Sequence, residues 1–297
     1  MKKTWIIIAA ALMVAGTLIF VGVMNMLNWD FSKLSTSRFV TNSYEISEEF
    51  FGIGIETDTA RVTFAVTDGA PRVECREEEH ASHAVSVQEG VLTIKLQSRK
   101  KWYHHIGINF SAPKVTVYLP EGTYGALKIK SSTGKIDIPG SFTFDGMDIS
   151  LSTGDVTTGA YVKGDMKIKT STGHITVTDV VCDGKMILKV SSGKTRLTNV
   201  HCGDLESTGN TGEVIMRSVL VTKGISMKRS TGDVTLEGCD ASEIHITTNT
   251  GDVTGSLQTE KVFVTKTSTG RIQVPESTTG GKCKITTNTG NIKITID

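Results

Sequence analysis

The chain has 297 residues, a formal net charge of +1, thirty glycines, five prolines and few aromatic residues. A near-neutral chain has no global electrostatic drive toward nucleic acid or acidic surfaces, so no nucleic-acid partner is expected. Few prolines and aromatics, set against abundant Gly, Thr, Ser and Val, suit an all-β chain with many tight turns.

Met1-Lys2-Lys3 leads into Thr4-Trp5-Ile6-Ile7-Ile8 and an uncharged apolar run that continues to Leu27. A hydrocarbon core needs about 20 helical residues, and this run supplies them. A cleavable signal peptide has a shorter apolar stretch ending in a small-x-small site. Here the far end reads Val23-Met24-Asn25-Met26-Leu27. The expectation is a cytoplasmic tail over 1–3, an uncleaved transmembrane signal anchor over 4–27 and a linker over 28–44. Lys2 and Lys3 predict an inside N-terminus and an extracytoplasmic remainder in the cell membrane.

Residues 45–125 read as an irregular N-terminal β cap, because a solenoid needs its open end covered. Within it, Phe51-Gly52-Ile53-Gly54-Ile55-Glu56-Thr57-Asp58-Thr59-Ala60-Arg61-Val62 resembles a repeat that has lost its corner glycine. Glu77-Glu78-Glu79-His80-Ala81-Ser82-His83 gathers metal-capable side chains, but the His-x-x-His pair lacks thiolates and a well-spaced third ligand. It is read as an exposed polar loop, and no metal or cofactor is expected. Lys100-Lys101-Trp102-Tyr103-His104-His105 is a basic-aromatic cluster suited either to sugar rings or headgroups, or to a hairpin tip tucked onto the cap.

From 126 to 297 a Ser/Asn-Thr/Ser-Gly phrase recurs, with glycines at Gly134, Gly154, Gly173, Gly193, Gly212, Gly232, Gly251, Gly270 and Gly290. The spacing is always 19 or 20 residues, the mark of a repeat architecture. Seven and five residues before the glycine come pairs such as Leu127/Ile129, Met147/Ile149 and Met166/Ile168. Two and four residues after it come Ile136/Ile138, Ile175/Val177, Val234/Leu236 and Ile272/Val274. This alternation predicts two short strands per repeat with glycine at the corner between them. The strongest hairpin dipeptides are missing from these corners, which favours a parallel β-solenoid over a meander. Nine rungs would make a rod about 40 Å long. The units around Gly212 (Leu205, Ser207, Gly209) and Gly270 (Phe263, Thr265, Thr267) look worn and should pack less tightly. Five cysteines fit a disulfide framework poorly. Cys182 and Cys202 should neighbour one another, either as small buried residues or as a bridge if the thiols face each other.

The residues following the glycines form one line: Lys135, Asp155, His174, Lys194, Glu213, Asp233, Asp252, Arg271 and Asn291. Glu213, Asp233 and Asp252 read as a weak cation site or, more simply, a solvated edge. No calcium-binding nonapeptide repeat is present. Outward positions six and four before the glycines carry Lys128, Lys130, Lys167, Lys169, Lys189, Lys228, Lys266 and Lys284, interrupted by Asp148, Glu206 and His245. This stripe is either an ordinary solvated face or a bed for an anionic polymer or headgroup.

An anchor, then Val115-Thr116-Val117-Tyr118-Leu119-Pro120-Glu121-Gly122, then units such as Ser152-Thr153-Gly154-Asp155-Val156 and Asn249-Thr250-Gly251-Asp252-Val253 form a familiar combination. The chain resembles, over roughly 45–297, the bacterial β-strand-repeat family of candidate adhesins, a domain family of unknown function. The resemblance implies an all-β, parallel β-solenoid-like fold, a cell-envelope location and no catalytic residues. It also implies envelope-stress gene neighbourhoods. Three functions stand in order: a non-enzymatic membrane-anchored envelope scaffold of adhesin type; an envelope-stress accessory protein acting through a membrane partner; and a polysaccharide-active enzyme.

Overall fold

The computed structural model describes residues 2–30, 38–98 and 112–297. The Lys100–His105 cluster lies outside the described residues. Helix α1 (Lys2–Met26) opens the chain, and its Thr4–Met26 stretch is long and apolar enough to cross a membrane. Most of its apolar side chains, Trp5, Ile6 and Leu18 among them, are exposed, and Met24 near its end is buried.

The remainder is a parallel β-solenoid of about nine turns. Each coil pairs with its counterparts one coil away, so Ile149 lies between Ile129 and Ile168. The inward columns form the core: Leu127, Ile129, Met147, Ile149, Met166 and Ile168 are at most 3% exposed. Two strands per repeat were expected, and the structure has a third inward segment. Val180 and Cys182, Val200 and Cys202, Val219 and Val221, and Cys239 and Ala241 are at most 5% exposed. The chain enters this segment through a second corner at Asp179, Asn199, Ser218 and Gly238, whose φ values lie between 51° and 59°. These residue types tolerate the left-handed region better than β-branched ones do.

Glycine is needed at the first corner for two reasons, seen at Gly154. Its φ is 137°, and a Cβ there would overlap the Gly134 carbonyl oxygen and lie 2.8 Å from the carbonyl carbon. The corner amides are used along the stack: Gly154 N–H donates to Thr172 O (2.7 Å) and Gly173 N–H to Ser192 O (2.9 Å). Three residues before the glycine, Thr170 Oγ1 donates to Gly154 O at 3.1 Å, and Thr287 Oγ1 does the same to Gly251 O. Stacked hydroxyls thus give half-buried corner carbonyls a hydrogen-bond donor.

Both ends depart from sequential winding. At the N-terminal end the strands are β1 (Phe39–Glu45), β2 (Gly52–Thr57), β3 (Arg61–Val66), β4 (Arg72–Glu78), β5 (Ala81–Gln88), β6 (Val91–Ser98) and β7 (Lys114–Leu119). β2 and β3 make a coil against the Gly134 coil, with Ile53 beside Leu127 and Val62 beside Ile136. Its corner, Asp58 to Ala60, lacks glycine yet receives the Thr133 amide on Asp58 O (2.6 Å). β4 and β5 then form the outer layer. β6 and β7 return between the two, parallel to β2 and β3 on one side and antiparallel to β5 and β4 on the other. β1 closes the edge of β4 in antiparallel pairing.

The C-terminal end repeats the device. Strand Gly281–Thr289 pairs in parallel with both flanks, Ile285 lying beside Ile246 and beside Thr265. Ile292 likewise stands between Val253 and Ile272. The coil order is therefore Gly251, Gly290, Gly270, and the sequential order expected from the repeats is corrected there. The outermost coil leaves Ile272, expected to be inward, 45% exposed.

The worn unit around Gly212 also has a definite cause. Arg229 is 3% exposed and reaches into the solenoid, with Nη2 donating to Ser207 Oγ (2.9 Å) and Thr195 Oγ1 (3.2 Å). Gly209 makes the room, since a Cβ there would stand 3.0 Å from Arg229 Nη1. The small polar residues of one coil accommodate a large one from the next, rather than leaving a loose rung.

Candidate functional site

The lysine stripe occupies the outward side of the segment preceding each corner glycine. Lys128, Lys130, Lys167, Lys169, Lys189, Lys228, Lys266 and Lys284 are all exposed. They fall in two columns, because residues six and four before the glycine alternate with buried ones. In the second column Lys130 faces Ser150, Ser150 faces Lys169, Lys169 faces Lys189, and Lys189 and Lys228 flank Thr208. Carboxylates temper the face: Lys167 pairs with Asp148 at 3.7 Å and Lys185 with Glu206 at 2.7 Å. The hydrogen bond from Lys185 holds the Glu206 carboxyl below the ordinary range.

The line following the glycines does structural work. Asp155 Oδ1 accepts the His174 amide (2.8 Å), His174 Nδ1 accepts the Lys194 amide (2.9 Å), and Asp233 Oδ1 accepts the Asp252 amide (2.8 Å). Asp252 Oδ1 accepts the Asn291 amide (2.7 Å), and Asn291 Oδ1 the Arg271 amide (3.0 Å), retracing the altered coil order. Glu213 pairs with Lys194 at 3.0 Å. The three acids considered as a cation site are thus engaged with neighbouring coils. A shallow groove of about 520 Å³ runs over the third segment, where Val181, His201 and Leu220 are stacked outward and Asp240 pairs with the buried Lys261 at 2.6 Å.

All five cysteines are free and buried. Cys182 and Cys202 stand in register on adjacent coils without a bridge. Desolvation pushes the Cys202 thiol up to about 12 and the Cys182 thiol to about 11. Arg229 is stripped of water, no carboxylate pairs with it among the described residues, and burial lowers its guanidinium to about 10.

The polar run 77–83 is not an exposed loop throughout. Glu78 pairs with Ala81 across a tight antiparallel hairpin, so only its tip stands out, while Glu77 is 0% and His83 3% exposed. Period-two alternation sends Cys75 and Glu77 to the inward face of β4. His83 Nδ1 lies 2.7 Å from Glu77 Oε2, and His83 Nε2 lies 2.9 Å from Thr57 Oγ1. Asn42 Nδ2 donates to Glu77 Oε1 (2.6 Å), and Tyr44 Oη donates to His83 O (3.1 Å). Sequence reasoning missed this cluster, although Cys75-x-Glu77 at strand spacing, directed to the same face as Val73, was its signal.

The profile of the Toastrack domain, DUF4097, matches residues 52–295. No curated protein matches the chain. A candidate adhesin from Parabacteroides merdae, of solved structure, is 15% identical, with 88% of this chain and 97% of that one covered and a TM-score of 0.55. A candidate adhesin from Bacteroides fragilis is 15% identical over 87% of this chain and 97% of its own, with a TM-score of 0.36. A candidate cell adhesion protein from Clostridium sporogenes is 10% identical over 88% and 100%, with a TM-score of 0.29. Of these, the first likeness shows a shared fold. With the profile covering the solenoid from its first coil nearly to its end, the chain belongs to the Toastrack DUF4097 family, a domain family of unknown function.

Proposed function

We propose that the protein is a non-enzymatic, membrane-anchored extracytoplasmic scaffold of adhesin type, which contacts an anionic envelope polymer or lipid headgroups through its lysine face. The observation that carries this reading is the column Lys130, Lys169, Lys189 and Lys228. It spans five coil spacings, roughly 24 Å at the usual strand separation, on one exposed sheet face. Fixed cations along a rigid line suit a chain of repeating negative charge better than a compact ligand. The apolar helix supports anchorage, with Lys2 and Lys3 favouring an inside N-terminus. The adhesin description of the Parabacteroides merdae protein fits the same reading.

The test is binding of the full chain, in neutral detergent, to purified anionic wall polymer and to anionic liposomes across a salt series. Affinity should fall steeply as salt rises. Replacing Lys130, Lys169, Lys189 and Lys228 by glutamine should remove most of it, whereas replacing Lys135 and Lys194 should change little. Binding that ignores the four replacements would reject the face, and no binding at any salt would reject the function.

A further inference from the structure

Where the cap covers the first coils, the inward stack of Val73, Leu92 and Val117 gives way to Cys75, Glu77 and His83. These three are 0%, 0% and 3% exposed, and one ligand atom from each lies within 4.8 Å of the others. They are a thiol, a carboxylate and an imidazole, three chemically different Lewis bases converging from adjacent antiparallel strands. A buried carboxylate is costly unless its charge is met. Glu77 accepts the His83 amide (2.6 Å), His83 Nδ1 and the Asn42 amide, but no lysine or arginine pairs with it among the described residues. Cys75 Sγ makes no hydrogen bond with a described residue, whereas Cys182 Sγ donates to Gly164 O and Cys239 Sγ to Met216 O.

We infer that Cys75, Glu77 and His83 form a site for one zinc ion. The donor set suits it, because sulfur, nitrogen and oxygen together match a borderline-soft divalent cation. The charge suits it as well: one thiolate and one carboxylate neutralise Zn²⁺, so a buried neutral unit replaces a carboxylate met only by His83 and Asn42. The outer contacts that orient metal ligands already exist. Thr57 Oγ1 holds the far nitrogen of His83, and Asn42 holds the far oxygen of Glu77. On binding, the Cys75 S–H proton leaves to solvent as the Zn–S bond forms. The ring changes tautomer: His83 gives up the Nδ1 proton that it shares with Glu77 and takes one on Nε2, which donates to Thr57 Oγ1, so the Nδ1 lone pair faces the ion and the ring stays neutral. Three protein ligands leave the fourth tetrahedral position to one water molecule enclosed with them. The ion would tie β4 to β5 and so fasten the outer layer of the cap.

The probe is zinc chloride, added to the full chain in detergent under reducing conditions after metal removal by a chelator. After gel filtration, elemental analysis should find about one zinc per chain in the unaltered protein and in Cys202→Ser. Cys75→Ser and His83→Gln should each retain under about a tenth of that. Cobalt loading should produce a thiolate-to-metal charge-transfer band in the near ultraviolet that Cys75→Ser abolishes. Cys75→Ser preserves the contacts among Thr57, His83 and Glu77, so a native far-ultraviolet circular dichroism spectrum separates lost ligation from lost folding. Unaltered protein that folds but holds no zinc, Cys75→Ser that holds as much as the parent, or cobalt without the thiolate band would each overturn the assignment.

Discussion

Replacing Gly193 by valine interrogates the corner that defines the repeat. Gly193 has φ 144°, and a Cβ there would overlap the Gly173 carbonyl oxygen and lie 2.7 Å from its carbonyl carbon. A β-branched residue held in this sparsely populated region costs about 1–3 kcal/mol. Relieving the overlap by moving φ instead parts the coils by roughly 1 Å, since carbon atoms settle at 3.5–4.0 Å. That movement weakens the bonds from Gly173 N–H to Ser192 O and from Gly193 N–H to Thr211 O, both 2.9 Å. A buried amide bond left unmade costs about 1–3 kcal/mol, so losing the two costs about 2–6 kcal/mol. Lys194→Ala is the adjacent control. It forfeits an ion pair to Glu213 whose side chains are 55% and 34% exposed, worth about 0–1 kcal/mol. Its backbone N–H still donates to His174 Nδ1. Native-state hydrogen exchange on the full chain reads both. Gly193→Val should lower protection of the Gly173, Gly193 and Gly212 amides by about a hundredfold or more, with Ile129 little changed, because repeat stability is a nearest-neighbour property. Equal losses in the two variants would refute the corner assignment.

Three further outcomes follow from the packing. Arg229→Met should be neutral or stabilising, because the guanidinium is desolvated and no carboxylate among the described residues pairs with it; a loss above about 2 kcal/mol in chemical denaturation would show that its bonds to Ser207 and Thr195 outweigh desolvation. The Glu206 carboxyl is held low chiefly by the Lys185 hydrogen bond. Its contribution is therefore present above the ordinary glutamate range and lost as pH falls through its folded pKa. With Glu206 29% and Lys185 38% exposed, the effect stays under about 1 kcal/mol, and Glu206→Gln should flatten the acid limb of the melting-temperature profile by that much. Ending the chain at Gly280 removes both strands beneath the outermost coil. Residues 261–273 should then lose exchange protection while the Gly212 coil keeps its own, and retained protection at Thr269 would contradict the observed coil order.

The first corner was legible because stacking demands the same chemistry in every coil, so the same letters recur. The third inward segment was hidden by the opposite circumstance. Its second corner needs only tolerance of left-handed backbone, and Asp179, Asn199, Ser218 and Gly238 meet that need with four different side chains. A search for turn-prone residues six positions after each glycine would have found it. Ser207 and Gly209 looked like decay because their complement, Arg229, arrives from another coil. Glu77 and His83 read as solvent-facing because charge argues for exposure. The antiparallel covering of β6 and β7 by β5 and β4, a non-local event, buried them instead.

Coil order was invisible for a related reason: a corner motif identifies a coil but does not number it. The arrangement at the two ends nevertheless answers one physical problem. In a sequentially wound solenoid the last coil has a single neighbour and a free terminus, and such an end frays at little cost. Here the final strand, Ile292–Ile296, pairs along its length with Val253–Leu257 and at Ile292 and Lys293 with the outermost coil, with Asp297 N–H donating to Leu257 O (2.9 Å) and Ser256 Oγ to Asp297 Oδ2 (2.7 Å). The exposed coil becomes the middle of a loop anchored at Leu257 and again at Gly281. Opening that loop releases less chain entropy than freeing a terminus, because its ends stay closed and closure depends only logarithmically on length. At the other end β6 and β7 hold the hairpin β4–β5 in the same way, and β1 covers the outer edge of β4. The less protected end is therefore the C-terminal one, where Val264 and Ile272 are 46% and 45% exposed and no described strand lies beyond them.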